Sequence, residues 1–98
     1  MKQRFMVIYE HLKRNYGGFA PDIPGAVSVG KDLKEMRRMM KACLELHLEG
    51  TAAHGDPLPG PVTTSFDFGE IRDDEVDHYV VEWLELEVPE LKPTVSAS

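Results

Sequence analysis

Four histidines are the residues of this chain best suited to metal chemistry, because neutral imidazole is a common metal ligand. They are His11, His47, His54 and His78. No two of them have the four-residue spacing that places two imidazoles on one face of a helix. We therefore predict no metal site and no cofactor. We expect His47 to be partly buried at the end of a helix and the other three to be exposed.

A single thiol and one acidic run are the remaining candidates for chemistry. Cys43 falls within a helical pattern, and we predict a buried, unreactive thiol, since a reactive one needs an accessible, electropositive setting. The acidic run consists of Glu70, Asp73, Asp74, Glu75 and Asp77. Carboxylates bind catalytic metals when rigid elements make them converge, whereas these lie in a predicted loop. We predict a solvated acidic loop, no catalytic residue and no enzyme; a residual metal-dependent nuclease is the least favoured alternative.

The length and composition limit the chain to one small domain. Of its 98 residues, 42% are hydrophobic, which is enough for a core. We expect residues 1–88 to form the domain and residues 89–98 a frayed tail. One cysteine excludes an internal disulfide, and no apolar run suits a signal peptide or a membrane span. We expect a cytoplasmic protein.

The pattern of apolar residues predicts four strands and one helix. The predicted strands are 4–11, 16–20, 26–29 and 78–88, and the helix is 32–49. The order β-β-β-α-β indicates an α+β fold, with a three-stranded antiparallel meander, one long helix and a fourth strand that returns to the sheet.

The helix carries two apolar stripes. Asp32 is the expected N-cap, Glu35 completes a capping box, and Gly50 is expected to end the helix. The core stripe is predicted to contain Leu33, Met36, Met40, Leu44, His47 and Leu48. A second stripe contains Met39, Ala42 and Leu46. One sheet face needs only one stripe, so we predict a homo-oligomer, most simply a dimer, through the second stripe or a free sheet edge.

Charge is distributed unevenly along the chain. The net charge is −6, with a balance of +3 in residues 1–49 and −9 in residues 50–98. Phosphate backbones are bound through cations, so we predict no direct DNA binding. An acidic half matches a basic protein partner; the alternative is that these acids only form a solvated face.

Residues 15–30 read Asn-Tyr-Gly-Gly-Phe-Ala-Pro-Asp-Ile-Pro-Gly-Ala-Val-Ser-Val-Gly. This stretch resembles the signature of HicB-type antitoxins, in which a strand leads into Pro-Asp-Leu-Pro-Gly-Cys, a short strand, a glycine and a capped helix. Residues 55–59, Gly-Asp-Pro-Leu-Pro, are similar to the family's Gly-x-Pro-x-Pro exit. The resemblance covers residues 5–61 and 79–88. It implies a partial ribonuclease-H-like fold without catalytic acids, and residues 4–9 of the predicted first strand contain no acid.

The resemblance also implies a function. Members of this family bind and neutralise a small, basic, mRNA-cleaving HicA toxin; the alternative is an orphan HicB-like binding or scaffold module with a different partner. Many members carry a C-terminal DNA-binding domain, but only ten residues follow Val88, and we do not expect operator binding. We nominate the acidic run, Tyr79 and Trp83 as the partner-binding residues, with Trp83 as the main anchor. The competing interpretation makes Trp83 a core residue.

Overall fold

The computed structural model of this protein describes residues 1–69 and 74–90. Its elements are β1 (Lys2–His11), β2 (Tyr16–Phe19), β3 (Val27–Gly30), α1 (Leu33–Ala53) and β4 (His78–Glu87). The strands pair antiparallel in the order β3-β2-β1-β4. The predicted α+β fold with its returning fourth strand is confirmed. Within the two described ranges, no helix combines the length and apolar character needed to cross a membrane.

Strand β1 lies inside the sheet, and its residues 5–9 are buried on both faces. Phe5, Val7 and Tyr9 join the core beneath α1. Met6 and Ile8 alternate with them on the opposite face and are also buried. An uninterrupted apolar run of this kind is typical of a strand covered from both sides.

Helix α1 packs its predicted core stripe against the sheet, with Met36, Met40, Leu44 and Leu48 buried. The Asp32 carboxylate accepts a hydrogen bond from the backbone N–H of Glu35 at 2.8 Å, which confirms the predicted N-cap. The Glu35 carboxylate accepts from the backbone N–H of Lys31 at 3.2 Å. The capping box therefore closes one residue earlier than its usual form, in which the N-cap N–H donates.

The helix ends later than the sequence predicts. Gly50 lies inside α1, which continues to Ala53, and His54 is the C-cap. Gly55 has a φ of +73°, a conformation that residues other than glycine rarely adopt. Gly55, rather than Gly50, therefore ends the helix, and the helix-forming alanines Ala52 and Ala53 continue it beyond Gly50.

Glycine allows β3 to approach the start of the helix closely. A Cβ atom on Gly30 would lie 2.7 Å from the backbone nitrogen of Met36, which is too short for any real contact.

The turn before β3 is hydrogen-bonded to the loop after α1. The Asp22 carboxylate accepts hydrogen bonds from the Thr63 hydroxyl at 2.6 Å and from the Thr63 N–H at 2.9 Å. The proline-rich turn and the loop after α1 are thereby joined.

Candidate partner-binding surface

The outward face of β4 carries the aromatic residue nominated as the binding anchor. Trp83 and Val81 each leave 43% of their surface exposed. Trp83 pairs across the sheet with buried Met6, and Val81 pairs with buried Ile8. The interpretation of Trp83 as a core residue is therefore wrong. Exposed large apolar side chains that lie side by side are typical of a binding surface.

An aromatic bridge covers one end of this sheet face. The Phe19 ring lies 5.7 Å from that of Phe66, Phe66 lies 5.5 Å from Phe68, and Phe68 lies 4.9 Å from Tyr79. Because Phe19 is on β2 and Tyr79 is on β4, the bridge crosses over β1. Sequence reasoning classed residues 66–77 by their acidity and missed the packing role of Phe66 and Phe68, although two phenylalanines just before the acidic run are a signal of it.

The acidic run precedes β4. Asp74, Glu75 and Asp77 are exposed, with a turn at residues 74–75 and no helix or strand. Glu70 and Asp73, the other two nominated acids, lie outside the described residues. For the three described acids, the predicted solvent-facing loop agrees with the structure.

The sheet brings together two histidines that are distant in sequence. His11 ends β1, His78 begins β4, and the antiparallel register makes them direct partners. The Asp77 Oδ2 atom lies 3.0 Å from Nδ1 of His78 and 3.2 Å from Nδ1 of His11. A hydrogen bond from His78, and a smaller contribution from the hydrogen bond of His11, hold the pKa of the Asp77 carboxyl below its ordinary value. Spacing along the chain could not show this cluster, because it depends on the register of β1 with β4.

Three of the sequence predictions for single side chains need correction. His47 is exposed rather than partly buried, because Leu48 takes the core position next to it. His11 is partly buried rather than exposed, since the rings of Tyr16 and His78 lie against it. Cys43 is half-buried rather than fully buried, and its Sγ lies 3.5 Å from the carbonyl oxygen of Val27.

The second helix stripe faces solvent. Leu46 is 69% exposed and Met39 is 40% exposed, and Ala42 between them is exposed as well. The nominated oligomer contact is thus accessible on the side of α1 that does not pack on the sheet.

Side chains of α1 cover part of the outer edge of β4. The Glu45 carboxylate accepts from the backbone N–H of Glu87 at 2.6 Å, and the Lys41 ammonium donates to the carbonyl of Glu85 at 3.3 Å. Lys41 and Glu45 also form an ion pair at 2.6 Å. These contacts satisfy backbone groups that an edge strand otherwise offers to another chain.

Comparison with known proteins places this architecture in a class. A solved HicA3 and HicB3 toxin-antitoxin complex contains a similar chain, with a TM-score of 0.61, 19% identity, and coverage of 87% of this chain and 99% of that one. The antitoxin HicB of Burkholderia pseudomallei has a TM-score of 0.60 and 22% identity, covering 93% of this chain and 70% of that one. The fold is that of solved HicB antitoxins.

Sequence comparison supplies the family. Residues 5–96 match the family described as HicB_like antitoxin of bacterial toxin-antitoxin system. A UPF0150 protein of Thermotoga maritima is 46% identical over 44 residues, which are 45% of this chain and 59% of that protein. The alignment thus spans less than two thirds of that relative. The chain belongs to the HicB-like antitoxin family, which confirms the resemblance carried by residues 15–30.

Proposed function

We propose that this protein is a non-catalytic, cytoplasmic antitoxin that binds and neutralises a small, basic, mRNA-cleaving toxin of the HicA type. The observation that carries the proposal is the exposure of Trp83 and Val81 on the outward face of β4 in a chain of this family. A similar chain occurs in a structure of a HicA3 and HicB3 complex, which supports a partner of the same kind.

The chemistry of the surface suits a basic partner. Trp83 and Val81 supply an apolar centre, and tryptophan is among the residues that contribute most to interface energies. The exposed acids Asp74, Glu75 and Asp77 lie immediately before the same strand. Strand residues advance about 3.3 Å each, so Asp77 lies roughly 20 Å along the chain from Trp83, within the span of one ordinary interface.

The two parts of the surface have different roles in the proposal. Acidic side chains attract a cationic protein over distance and mainly raise the association rate. Each exposed acid alone contributes little, because solvent screens its charge. The apolar anchor is desolvated only in the complex, so its loss mainly raises the dissociation rate.

Association kinetics with the HicA-type protein of the same genome, measured at several salt concentrations, test this division. Neutralising all five nominated acids together (Glu70→Gln, Asp73→Asn, Asp74→Asn, Glu75→Gln and Asp77→Asn) should slow association and flatten its salt dependence. A control neutralises three exposed acids elsewhere (Glu49→Gln, Asp56→Asn and Glu90→Gln), and its effect on the association rate per charge removed should be smaller. Unchanged kinetics in the five-fold variant would remove the acidic run from the site.

The anchor is tested separately. Trp83→Ala should keep the circular dichroism spectrum of the wild type, because the side chain is 43% exposed, and should weaken binding by about 2 kcal/mol or more. Val62→Ala, at a position that is 81% exposed in the loop after α1, is the control. A folded Trp83→Ala protein that binds the toxin normally would exclude Trp83 from the binding site. A wild-type protein that binds only a different kind of partner would favour the orphan-module alternative.

A further inference from the structure

Three metal-ligating side chains meet at the end of the sheet where β1 stops and β4 starts. In the described part of the chain, the ligand atoms of His11, Asp77 and His78 lie within 4.8 Å of one another. From this arrangement we infer a binding site for one divalent transition-metal ion, best suited to zinc, with both Nδ1 atoms and the Asp77 carboxylate as ligands. The inference does not depend on toxin binding.

The two distances from the Asp77 carboxylate to the imidazole nitrogens fit tetrahedral coordination. Ligands held about 2.0–2.1 Å from zinc at tetrahedral angles lie roughly 3.3 Å from one another. The Asp77 Oδ2 atom lies 3.2 Å from Nδ1 of His11 and 3.0 Å from Nδ1 of His78. The ion would take the place of the protons between these atoms, and each neutral imidazole would then carry its proton on Nε2. Because the His11 and His78 rings are stacked with planes 22° apart, both rings must turn so that their Nδ1 lone pairs converge on the ion.

The backbone and the neighbouring rings already hold these side chains close together. The backbone N–H of Asp77 donates to the carbonyl of His11 at 2.8 Å, which fixes the acid beside the end of β1. The His11 and His78 rings stack with centroids 4.6 Å apart and planes 22° apart. The Tyr16 ring packs against His11 at 4.7 Å on its other side. Ordered ligands lower the entropic cost of binding an ion.

The identity of the ligands decides which ion fits. Imidazole nitrogen suits zinc, copper and nickel, whereas magnesium prefers an all-oxygen environment. The cluster borders an open groove that also includes Asp74, Glu75, Lys13 and Arg14. Water or an exchangeable anion can therefore reach the fourth position, so that three protein ligands are sufficient.

Zinc titration of the metal-free full chain against a chromogenic chelator tests the inference. One zinc ion should bind per chain in the micromolar range, the Tm should rise with zinc concentration, and magnesium at the same concentration should do neither. His11→Gln, His78→Gln and Asp77→Asn should each weaken zinc binding at least about ten-fold, the lower end of the effect of perturbing even an outer-shell partner. Circular dichroism of each variant establishes that it is folded.

Matched controls separate this site from adventitious binding. His47→Gln and His54→Gln replace exposed histidines elsewhere, and Cys43→Ser removes the single thiol; all three should bind zinc as the wild type does. The inference is overturned if the wild type binds no zinc, or if folded His11→Gln and His78→Gln proteins retain full affinity. Binding that disappears only in Cys43→Ser would also overturn it.

Discussion

Arg37 of α1 donates hydrogen bonds to both carboxylate oxygens of Glu82 on β4. Its Nε lies 2.8 Å from Oε1 and 3.0 Å from Oε2, and a terminal nitrogen also contacts Oε1. Glu82 pairs across the sheet with Val7, a core residue, so the acid faces the helix while Val81 and Trp83 face outward. The contact ties the helix to β4 and favours the orientation that presents Trp83 to solvent.

The buried hydroxyl of Tyr9 lies in the neighbourhood of this pair. Within the described residues, its Oη has no hydrogen-bond partner of acceptable geometry. Burial raises the pKa of Tyr9, and the charge of Glu82 raises it further against a smaller opposing effect of Arg37. Tyr9→Phe removes an unpaired polar group, so we expect the free energy of unfolding to be unchanged or to rise by about 1 kcal/mol in urea denaturation.

The same shift predicts a dependence on alkaline pH. Since the folded pKa of Tyr9 lies above the ordinary value of 10.0, the unfolded chain loses this proton first as the pH rises. The contribution of the protonated Tyr9 hydroxyl to the free energy of unfolding is complete below pH 10 and is lost progressively above it. Stability should therefore fall less steeply above pH 10 in Tyr9→Phe than in the wild type. If Tyr9→Phe is clearly less stable than the wild type at neutral pH, the Tyr9 hydroxyl has a stabilising hydrogen-bond partner, and the prediction is wrong.

The close approach of β3 to α1 predicts a large difference between two glycines. Gly30→Ala places a methyl group 2.7 Å from backbone nitrogen, whereas Gly17→Ala meets nothing within 4 Å. We expect Gly30→Ala to lower the free energy of unfolding by about 1–3 kcal/mol through overpacking, and Gly17→Ala to change it by about 0.5 kcal/mol or less. Equal effects of the two changes in urea denaturation would contradict this.

The elements that the sequence predicted well are those set by local pattern. The helical core stripe ending at Leu48, the Asp32 cap and the continuous apolar run of β1 each depend on residues within a few positions of one another. Such local signals also gave the order of the elements, and this order predicted that the fourth strand returns to the sheet.

What sequence reasoning missed depends on register and on contacts distant in sequence. The meeting of His11 with His78 requires the pairing of β1 with β4. The packing of Phe66 on Phe19 joins two residues that are far apart in the sequence. The helix end was misplaced because a glycine is tolerated inside a helix at a modest cost, so Gly50 alone could not mark the stop.

The contact between Glu45 and the edge of β4 predicts a dependence on acid pH. Partial burial alone would raise the pKa of Glu45, but hydrogen bonds from Lys41 and the Glu87 N–H outweigh it, and the pKa lies below the ordinary 4.5. The stabilisation is present above pH 4.5 and is lost as the pH falls through the folded value. Glu45→Gln should therefore lower the free energy of unfolding by about 0.5–1 kcal/mol at pH 7, a range that allows for solvent screening, and should change it little in acid.

Urea denaturation at several pH values checks this expectation. Glu49→Gln, an exposed acid on the same helix, is the matched control and should have no comparable effect at neutral pH. If Glu45→Gln loses the same amount of stability at every pH from 7 down to 3, the charge of Glu45 is not the cause of that loss.

The exposed stripe on α1 predicts self-association. If Met39, Ala42 and Leu46 form the contact between two copies, Leu46→Glu should convert the dimer to a monomer in sedimentation experiments at high micromolar concentration. The fold should survive, because Leu46 is 69% exposed. Lys34→Glu on the polar side of the helix is the control for added negative charge. A wild-type protein that sediments only as a monomer would refute the prediction.

Inhibition of toxin activity tests the proposed antitoxin function most directly. The HicA-type protein of the same genome is purified, its cleavage of a single-stranded RNA is measured, and this chain is added in increasing amounts. Cleavage should fall to background when the two proteins reach a fixed stoichiometric ratio, and this chain alone should cleave nothing. Undiminished cleavage in the presence of excess folded protein, or a genome that encodes no such toxin, would contradict the proposal.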